Sequence, residues 1–362
     1  MTRVHVMHLV DSLHAGGTER VAVNLVNSLP RERYQTHLCT TRLEGPLASL
    51  VHFDVGRICL HRKRTWDFSA LQRLVAYIRE HDIKILHAHA SSVFMANLAS
   101  RFSPYPKIVW HDHYGINSNQ ERSAWVYRLL MTRVQCVMAV SQKLVDWSRQ
   151  RLRMPSEKVL YMPNFVCSDS PSSEPPVLPG TAGSRVVCVA NIRPVKDHSN
   201  LLRAMALVVK QVPSAHLILV GAMEDQAYLA ELKQLLTDLQ LDAHVTFLGQ
   251  RSDVGAIVRQ CDVGALSSSA EGLPLSLLEY GLANLPVVST NVGQCADVLA
   301  QGEAGLLVPR QDSAALAQAL LQLLQSAEQR QNFGTKYAAR VAEMYSANAV
   351  LGRITKVYES LV

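Results

Sequence analysis

The stretch Ser267-Ser-Ser-Ala-Glu-Gly-Leu-Pro-Leu-Ser-Leu-Leu-Glu-Tyr-Gly-Leu-Ala-Asn284 decides how this chain is read. It follows Val263-Gly-Ala-Leu266, an apolar run that reads as a buried strand, and it sets Pro274 at the first turn of a helix. Glu271 and Gly272 then fall where a strand hands its C-terminal edge to a helix N-terminus. In open α/β sheets that edge binds ligands, and the N–H groups of the helix start attract phosphate. Glu279 comes eight residues after Glu271, about two turns into the helix at the usual 3.6-residue period. Two carboxylates flanking bare amides suit a ligand with hydroxyls at both ends and a diphosphate between them. A nucleotide-sugar has that layout. A solvated loop glutamate and a helix-dipole glutamate would look alike here, so the rest of the chain has to decide.

At 362 residues the chain is long enough for two domains, each with its own core. Its 48% apolar and 18% charged composition is that of a globular protein, and no apolar run approaches the length of a membrane span. The alternating N-terminus, with His5 and His8, reads as a first strand rather than a signal peptide. The cysteines (39, 59, 136, 167, 188, 261 and 295) are scattered and odd in number, without a C-x-x-C pair. They read as reduced thiols in the cytosol, not as disulfides or a zinc site.

A break at residues 168–184, rich in Pro, Ser and Gly, reads as a linker between domains at 1–167 and 185–344. Strands are expected at residues 3–9, 36–40, 83–87, 107–110, 136–140 and 158–162. The second half should supply strands at 185–190, 216–220, 244–248, 262–266, 286–289 and 305–308. Helical patterns lie between them, for example at 19–29, 198–211 and 227–239, and residues 313–361 read as consecutive helices. Repeated βα units argue for parallel sheets with helices on both faces, two such domains facing a cleft.

Three further clusters carry chemistry. Gly16-Gly17 follows the first strand and opens a helix, where backbone can approach a ligand closely; a tight turn capped by Thr18 is the plainer reading. Arg193 and Lys196 follow the first strand of the second domain, just before a helix, and can clamp a diphosphate. His111, with Asp112, His113, Tyr114 and Gly115, ends a strand and is placed to touch substrate from the strand edge. His87 and His89 end another strand and read as packed, hydrogen-bonded core histidines. The chain contains no Asp-x-Asp, which disfavours a divalent metal on the diphosphate, so neither a metal nor a cofactor is expected.

Charge divides unevenly. Residues 1–168 hold 22 Lys and Arg against 12 Asp and Glu, and residues 169–362 hold 14 against 18. Residues 57–66 are the densest basic stretch, ending in Trp66. Arg122, Trp125, Tyr127, Arg128 and Arg133 form a second set, and Arg149, Arg151 and Arg153 a third. Basic residues beside amphipathic aromatics suit an anionic membrane leaflet. Nucleic acid could use the same charges, but it gives no reason for a carboxylate pair and a glycine loop.

With these pieces together the chain resembles family 4 of the retaining glycosyltransferases, which have the two-domain GT-B fold. The resemblance rests on Gly16-Gly17-Thr18-Glu19-Arg20, His111, Val137-Met-Ala-Val-Ser141, Met162-Pro-Asn164, Arg193 to Lys196, Glu271-Gly-Leu-Pro with Glu279, Pro286-Val-Val-Ser, and Gly305-Leu-Leu-Val-Pro309. It implies that Arg193 and Lys196 hold the donor diphosphate, Glu279 the ribose and Glu271 the sugar hydroxyls. Backbone at Gly272, Leu273, Pro274 and Leu275 would cover sugar and phosphate. Gly16 and Gly17 would approach the diphosphate, and His111 would contact the transferred sugar. Phe165 and Gln294 depart from the family pattern, which leaves the fold untouched but clouds the choice of sugar and nucleotide.

The implied activity is metal-independent, retaining transfer of a hexose or N-acetylhexosamine from a nucleotide-diphosphate sugar, UDP-sugar favoured. The implied acceptor is a glycan or polyprenyl-diphosphate-linked glycan in bacterial surface polysaccharide synthesis. The protein would be cytoplasmic and peripheral on the inner membrane face, the N-terminal domain taking the acceptor. Residues 345–362 would form a C-terminal helix packing back on that domain. A GT-B-fold UDP-sugar epimerase and a degenerate glycan- or protein-binding scaffold are the alternatives. The first lacks a strong acid–base set, and the second should have lost the glutamate or basic pair.

Overall fold

The β-branched runs form strands and the amphipathic stretches between them form helices, because each run buries one set of side chains at its own period. The computed structural model describes residues 3–14, 16–103, 106–114, 123–165 and 176–362. Gly115, Arg122, Cys167 and the 168–175 part of the expected linker lie outside them. The first half gives β1 (Val4–Val10), α1 (Gly17–Ser28), β2 (Tyr34–Thr40), β3 (Gly56–Cys59), α2 (Phe68–Glu80), β4 (Ile85–His89), α3 (Val93–Ala99), β5 (Lys107–Asp112), α4 (Ala124–Met131), β6 (Val134–Ala139), α5 (Gln142–Gln150) and β7 (Val159–Tyr161). The second gives β8 (Arg185–Val189), α6 (His198–Gln211), β9 (His216–Val220), α7 (Gln226–Asp238), β10 (Val245–Gly249), α8 (Val254–Val258), β11 (Val263–Leu266), α9 (Leu275–Leu282), β12 (Val287–Thr290), α10 (Cys295–Val298) and β13 (Leu306–Val308). Three helices close the chain: α11 (Ser313–Leu324), α12 (Ala327–Met344) and α13 (Ala347–Leu361).

The chain divides into one unit of Met1–Phe165 with Ala347–Val362 and another of Val166–Ser346. The first unit is built on a sheet ordered β3-β2-β1-β4-β5-β6-β7, and the second on one ordered β10-β9-β8-β11-β12-β13. Every described strand pair is parallel. Parallel sheets need helices on both faces, which explains why β1, β4 and β9 are buried almost throughout, histidines included. In the first unit α2, α3 and α5 cover one face with Leu74, Val93 and Val145, while α1 and α13 cover the other with Leu25 and Tyr358. In the second, α6, α7 and α11 cover one face, and α8, α9 and α12 the other.

Each sheet reverses its strand order once, between β1 and β4 and between β8 and β11. Connections leaving two adjacent strands in opposite directions open a crevice at their C-terminal ends. The Gly16-Gly17 loop leaves β1, while the Arg193 and Glu271 loops leave β8 and β11. Topology therefore places each candidate loop at a switch point.

Some boundaries differ from the expected ones. The unexpected strand β3 overlaps the start of the basic stretch, paired on one side with β2. The helix α1 starts at Gly17 with Gly16 as its cap, so Thr18 is a helical residue and not the cap. Pro274 caps α9 instead of opening it, and Glu279 is its fifth residue, just past one turn rather than two. The described end of the expected linker is held down: the Arg185 guanidinium donates to the carbonyls of Leu178, Pro179 and Gly180 at 3.1, 3.0 and 2.9 Å.

The buried Tyr280 ties α9 to its sheet, its hydroxyl accepting from the Val189 N–H at 2.7 Å. Tyr280→Phe keeps the ring and strands that N–H, which should cost about 1–3 kcal/mol. Denaturant unfolding measures this; an unchanged midpoint would show the hydroxyl to be dispensable.

Candidate active site

In the second unit, Pro194–Lys196 form a single 3-10 turn after β8, and Asp197, in the left-handed conformation at φ 48°, caps α6 by accepting from Asn200 N. Three consecutive serines after β11 bind this turn to the glutamate loop. Ser267 Oγ donates to the Lys196 carbonyl at 2.9 Å and Ser269 Oγ to the Val195 carbonyl at 3.0 Å. Between them, Ser268 Oγ donates to Glu271 Oε1 at 2.6 Å. The same carboxylate oxygen accepts from Lys196 Nζ at 2.6 Å. Side-chain exposure is 24% for Lys196 and 8% for Glu271, so the pair is largely withdrawn from water.

The far side of the loop is fixed by Gly293. Its φ of 57° is left-handed, and a Cβ there would stand 2.2 Å from the Glu271 carbonyl oxygen. Only glycine permits that approach without backbone movement. Gln294 N donates to the Gly272 carbonyl at 2.9 Å, and Thr290 Oγ1 to the Ser268 carbonyl at 2.7 Å. Gln294, a departure from the family pattern, thus braces the loop through its main chain. Gly272 itself has an open flank, with nothing within 4 Å of where a Cβ would sit. Beyond it come the first N–H groups of α9, which have no acceptor inside the helix.

Of the residues singled out from the sequence, this unit joins Lys196 and Glu271 directly and sets Gly272, Leu273, Pro274 and Leu275 alongside. Leu273 and Leu275 are half-buried against the core and Pro274 is buried. Glu279 lies half-buried on α9. Arg193 points into solvent at 55% exposure and meets Glu224 at 3.3 Å. Exposed pairs of that kind contribute little, so the guanidinium is free to exchange partners. The serine row and Gly293 were not singled out from the sequence. Three serines leaving a buried strand are the signal that marked them.

In the first unit, the face of Gly16 is taken by a carboxylate: a Cβ there would lie 2.3 Å from Glu19 Oε2, while Gly17 faces open space. Burial raises the pKa of Glu19. His111 does not stand at the strand edge. The strand β5 continues to Asp112, and His111 is 1% exposed inside it, its Nδ1 3.1 Å from His87 Nε2. Burial lowers its pKa to about 3, so the ring is neutral. His87 and His89 are buried and hydrogen-bonded to other histidines, as expected of core residues.

The basic clusters are less free than their letters suggest. Arg57 pairs with Glu44 at 3.0 Å, and Arg62, 9% exposed, lies 3.4 Å from Asp11. Arg149 donates to the Val159 carbonyl at 3.2 Å, and Tyr127 stacks on buried Trp110. Trp66, Phe68, Trp125 and Leu129 remain exposed. No helix among the described residues is long and apolar enough to cross a membrane.

Comparison with known proteins agrees with this architecture. Residues 15–169 match the model of glycosyltransferase family 4, and residues 179–340 that of glycosyl transferases group 1. The chain belongs to this family and is a glycosyltransferase of the GT-B fold. It is 22% identical to the N-acetyl-alpha-D-glucosaminyl L-malate synthase of Bacillus anthracis, over 95% of this chain and 93% of that one. It is 23% identical to the UDP-Gal:alpha-D-GlcNAc-diphosphoundecaprenol alpha-1,3-galactosyltransferase of Escherichia coli, over 80% of each. Among solved structures, Anabaena Alr3699/HepE in complex with UDP superposes with a TM-score of 0.80, at 20% identity over 99% of this chain and all of the other. That likeness concerns the fold.

Proposed function

We propose that the second unit binds a nucleotide-diphosphate sugar, a UDP-sugar by preference, and that the protein transfers its hexose or N-acetylhexosamine with retained configuration and without a divalent metal. The Lys196–Glu271 pair carries this reading. A cation and a carboxylate share one oxygen contact beside an open glycine and a helix N-terminus. A diphosphate on Lys196 and the α9 amides would leave its sugar next to Glu271, so the two subsites are contiguous.

Bond cleavage builds negative charge on the leaving phosphate and positive charge on the sugar. Lys196, Arg193 and the helix start stabilise the former as it develops. Glu271 accepts from sugar hydroxyls, Glu279 from the ribose, and Leu273 to Leu275 cover the ligand. No residue is assigned as a covalent nucleophile; attack comes from the departing side, the phosphate taking the acceptor's proton. To the first unit we assign the acceptor. UDP in the Anabaena structure and the UDP-sugar named for the Escherichia coli relative favour uridine. The diphosphoundecaprenol of that relative favours a polyprenyl-diphosphate-linked glycan as acceptor, in bacterial surface polysaccharide synthesis at the inner membrane face.

Lys196→Met and Glu271→Ala should each lower kcat by about a hundredfold or more while the folded state persists, as for other removals of transition-state charge stabilisation. Steady-state transfer assays with circular dichroism read both; near-normal turnover of a folded variant contradicts the assignment. For the membrane, co-sedimentation with vesicles should rise with anionic lipid content and fall in a Trp66→Ala/Trp125→Ala double variant. Binding indifferent to both would remove the membrane from the proposal.

A further inference from the structure

The first unit contains a histidine cluster that the transfer reaction does not absorb. Parallel pairing in register sets His8 of β1 against His87 of β4, and His89 of β4 against His111 of β5. His113 follows just beyond β5, half-buried, its ring stacked on that of His89. One ring nitrogen from each of His89, His111 and His113 lies within 4.8 Å of one from each of the other two. His89 Nδ1 and His113 Nε2 are 3.0 Å apart. Tetrahedral zinc–imidazole bonds of about 2.0–2.1 Å set neighbouring nitrogens about 3.4 Å apart.

We propose that His89, His111 and His113 form a binding site for a divalent transition-metal ion of the zinc class.

Two independent features support it. The first is an unpaired ligand atom: His111 Nε2 is buried and meets no partner with full hydrogen-bond geometry, although the Met162 main chain stands near it, while the outward His113 Nδ1 faces Asn164. The second is the ring of groups behind the ligands. Metal-bound imidazoles are held by a partner on their other nitrogen, which fixes tautomer and orientation. His111 Nδ1 has His87 Nε2 at 3.1 Å, and His87 Nδ1 has the Tyr358 hydroxyl at 2.5 Å. His89 Nε2 has His8 Nδ1 at 3.0 Å, and His8 Nε2 has the same hydroxyl at 3.4 Å. With lone pairs of His89 and His111 turned to the ion, each N–H donates outward along its own chain. Both chains end on the Tyr358 oxygen, which has two lone pairs to accept them. No ring in either chain needs to be charged.

Neutral imidazole is the form that binds metal, and binding releases the ring proton where one is held. Imidazole nitrogens without thiolate or carboxylate select zinc, copper, nickel or cobalt over magnesium or calcium. The site itself stands whether or not the chain uses a nucleotide-sugar.

Chelator-treated full-length protein titrated with Co²⁺ should develop strong tetrahedral visible bands that saturate at one equivalent and are displaced by Zn²⁺. His113→Gln, at the half-exposed position, and His89→Gln should abolish them. His8→Gln, one step removed, should weaken affinity about 10–100-fold. Thermal melts identify any variant that fails to fold, and His113→Gln decides the matter if His89→Gln does. No saturable band in the parent protein, or an unchanged band in folded His113→Gln, would overturn the proposal.

Discussion

The contact on which the candidate site depends is the ion pair between Lys196 and Glu271, 2.6 Å long and mostly shielded from water. A pair like this contributes little net stability, because removing both charges from water costs about as much as their attraction returns. Its significance lies in what holds it. Ser268 shares the carboxylate, Ser267 and Ser269 bind the lysine's own turn, and Gly293 lets a neighbouring loop press against the glutamate peptide. The charges are fixed before any ligand arrives. A diphosphate bound as proposed would meet a lysine already positioned, and would compete with one carboxylate for it.

Why these loops meet follows from topology. A parallel sheet sends all its strand C-termini to one edge, and a single reversal of strand order opens that edge where β8 and β11 lie side by side. The turn after β8 supplies the cations, and the loop after β11 supplies the acid and the helix start. The first unit repeats the arrangement at β1 and β4, there with a glycine loop and a set of histidines. This chain thus uses one architectural device twice with different side chains.

Periodicity made twelve strands legible, because buried parallel strands are short β-branched runs bounded by turn residues. It missed β3, whose Gly56-Arg-Ile-Cys59 carries a charge and a glycine and pairs on only one side, so its letters read as a basic surface. Helix starts shifted by a residue or more, since Gly16 and Pro274 cap by backbone geometry and not by a side chain that sequence reveals. Lys196 and Glu271 were legible as candidate site residues. That they touch was not, being a contact across 75 positions. His111 was recognised, but its burial and its partners depend on strand register, which no local pattern encodes. Tyr127 and Arg62 looked like surface residues and are held by Trp110 and Asp11, tertiary contacts that override composition.

The most direct test of the central claim is saturation-transfer NMR of UDP-, GDP- and ADP-sugars with chelator-treated protein, comparing the parent chain with Arg193→Ala. The account predicts transfer to the UDP-sugar, strongest at the ribose and sugar protons, and its loss in Arg193→Ala. Absence of transfer from every nucleotide-sugar, or equal transfer in the variant, would contradict a donor site built on the Arg193–Lys196 turn and Glu271.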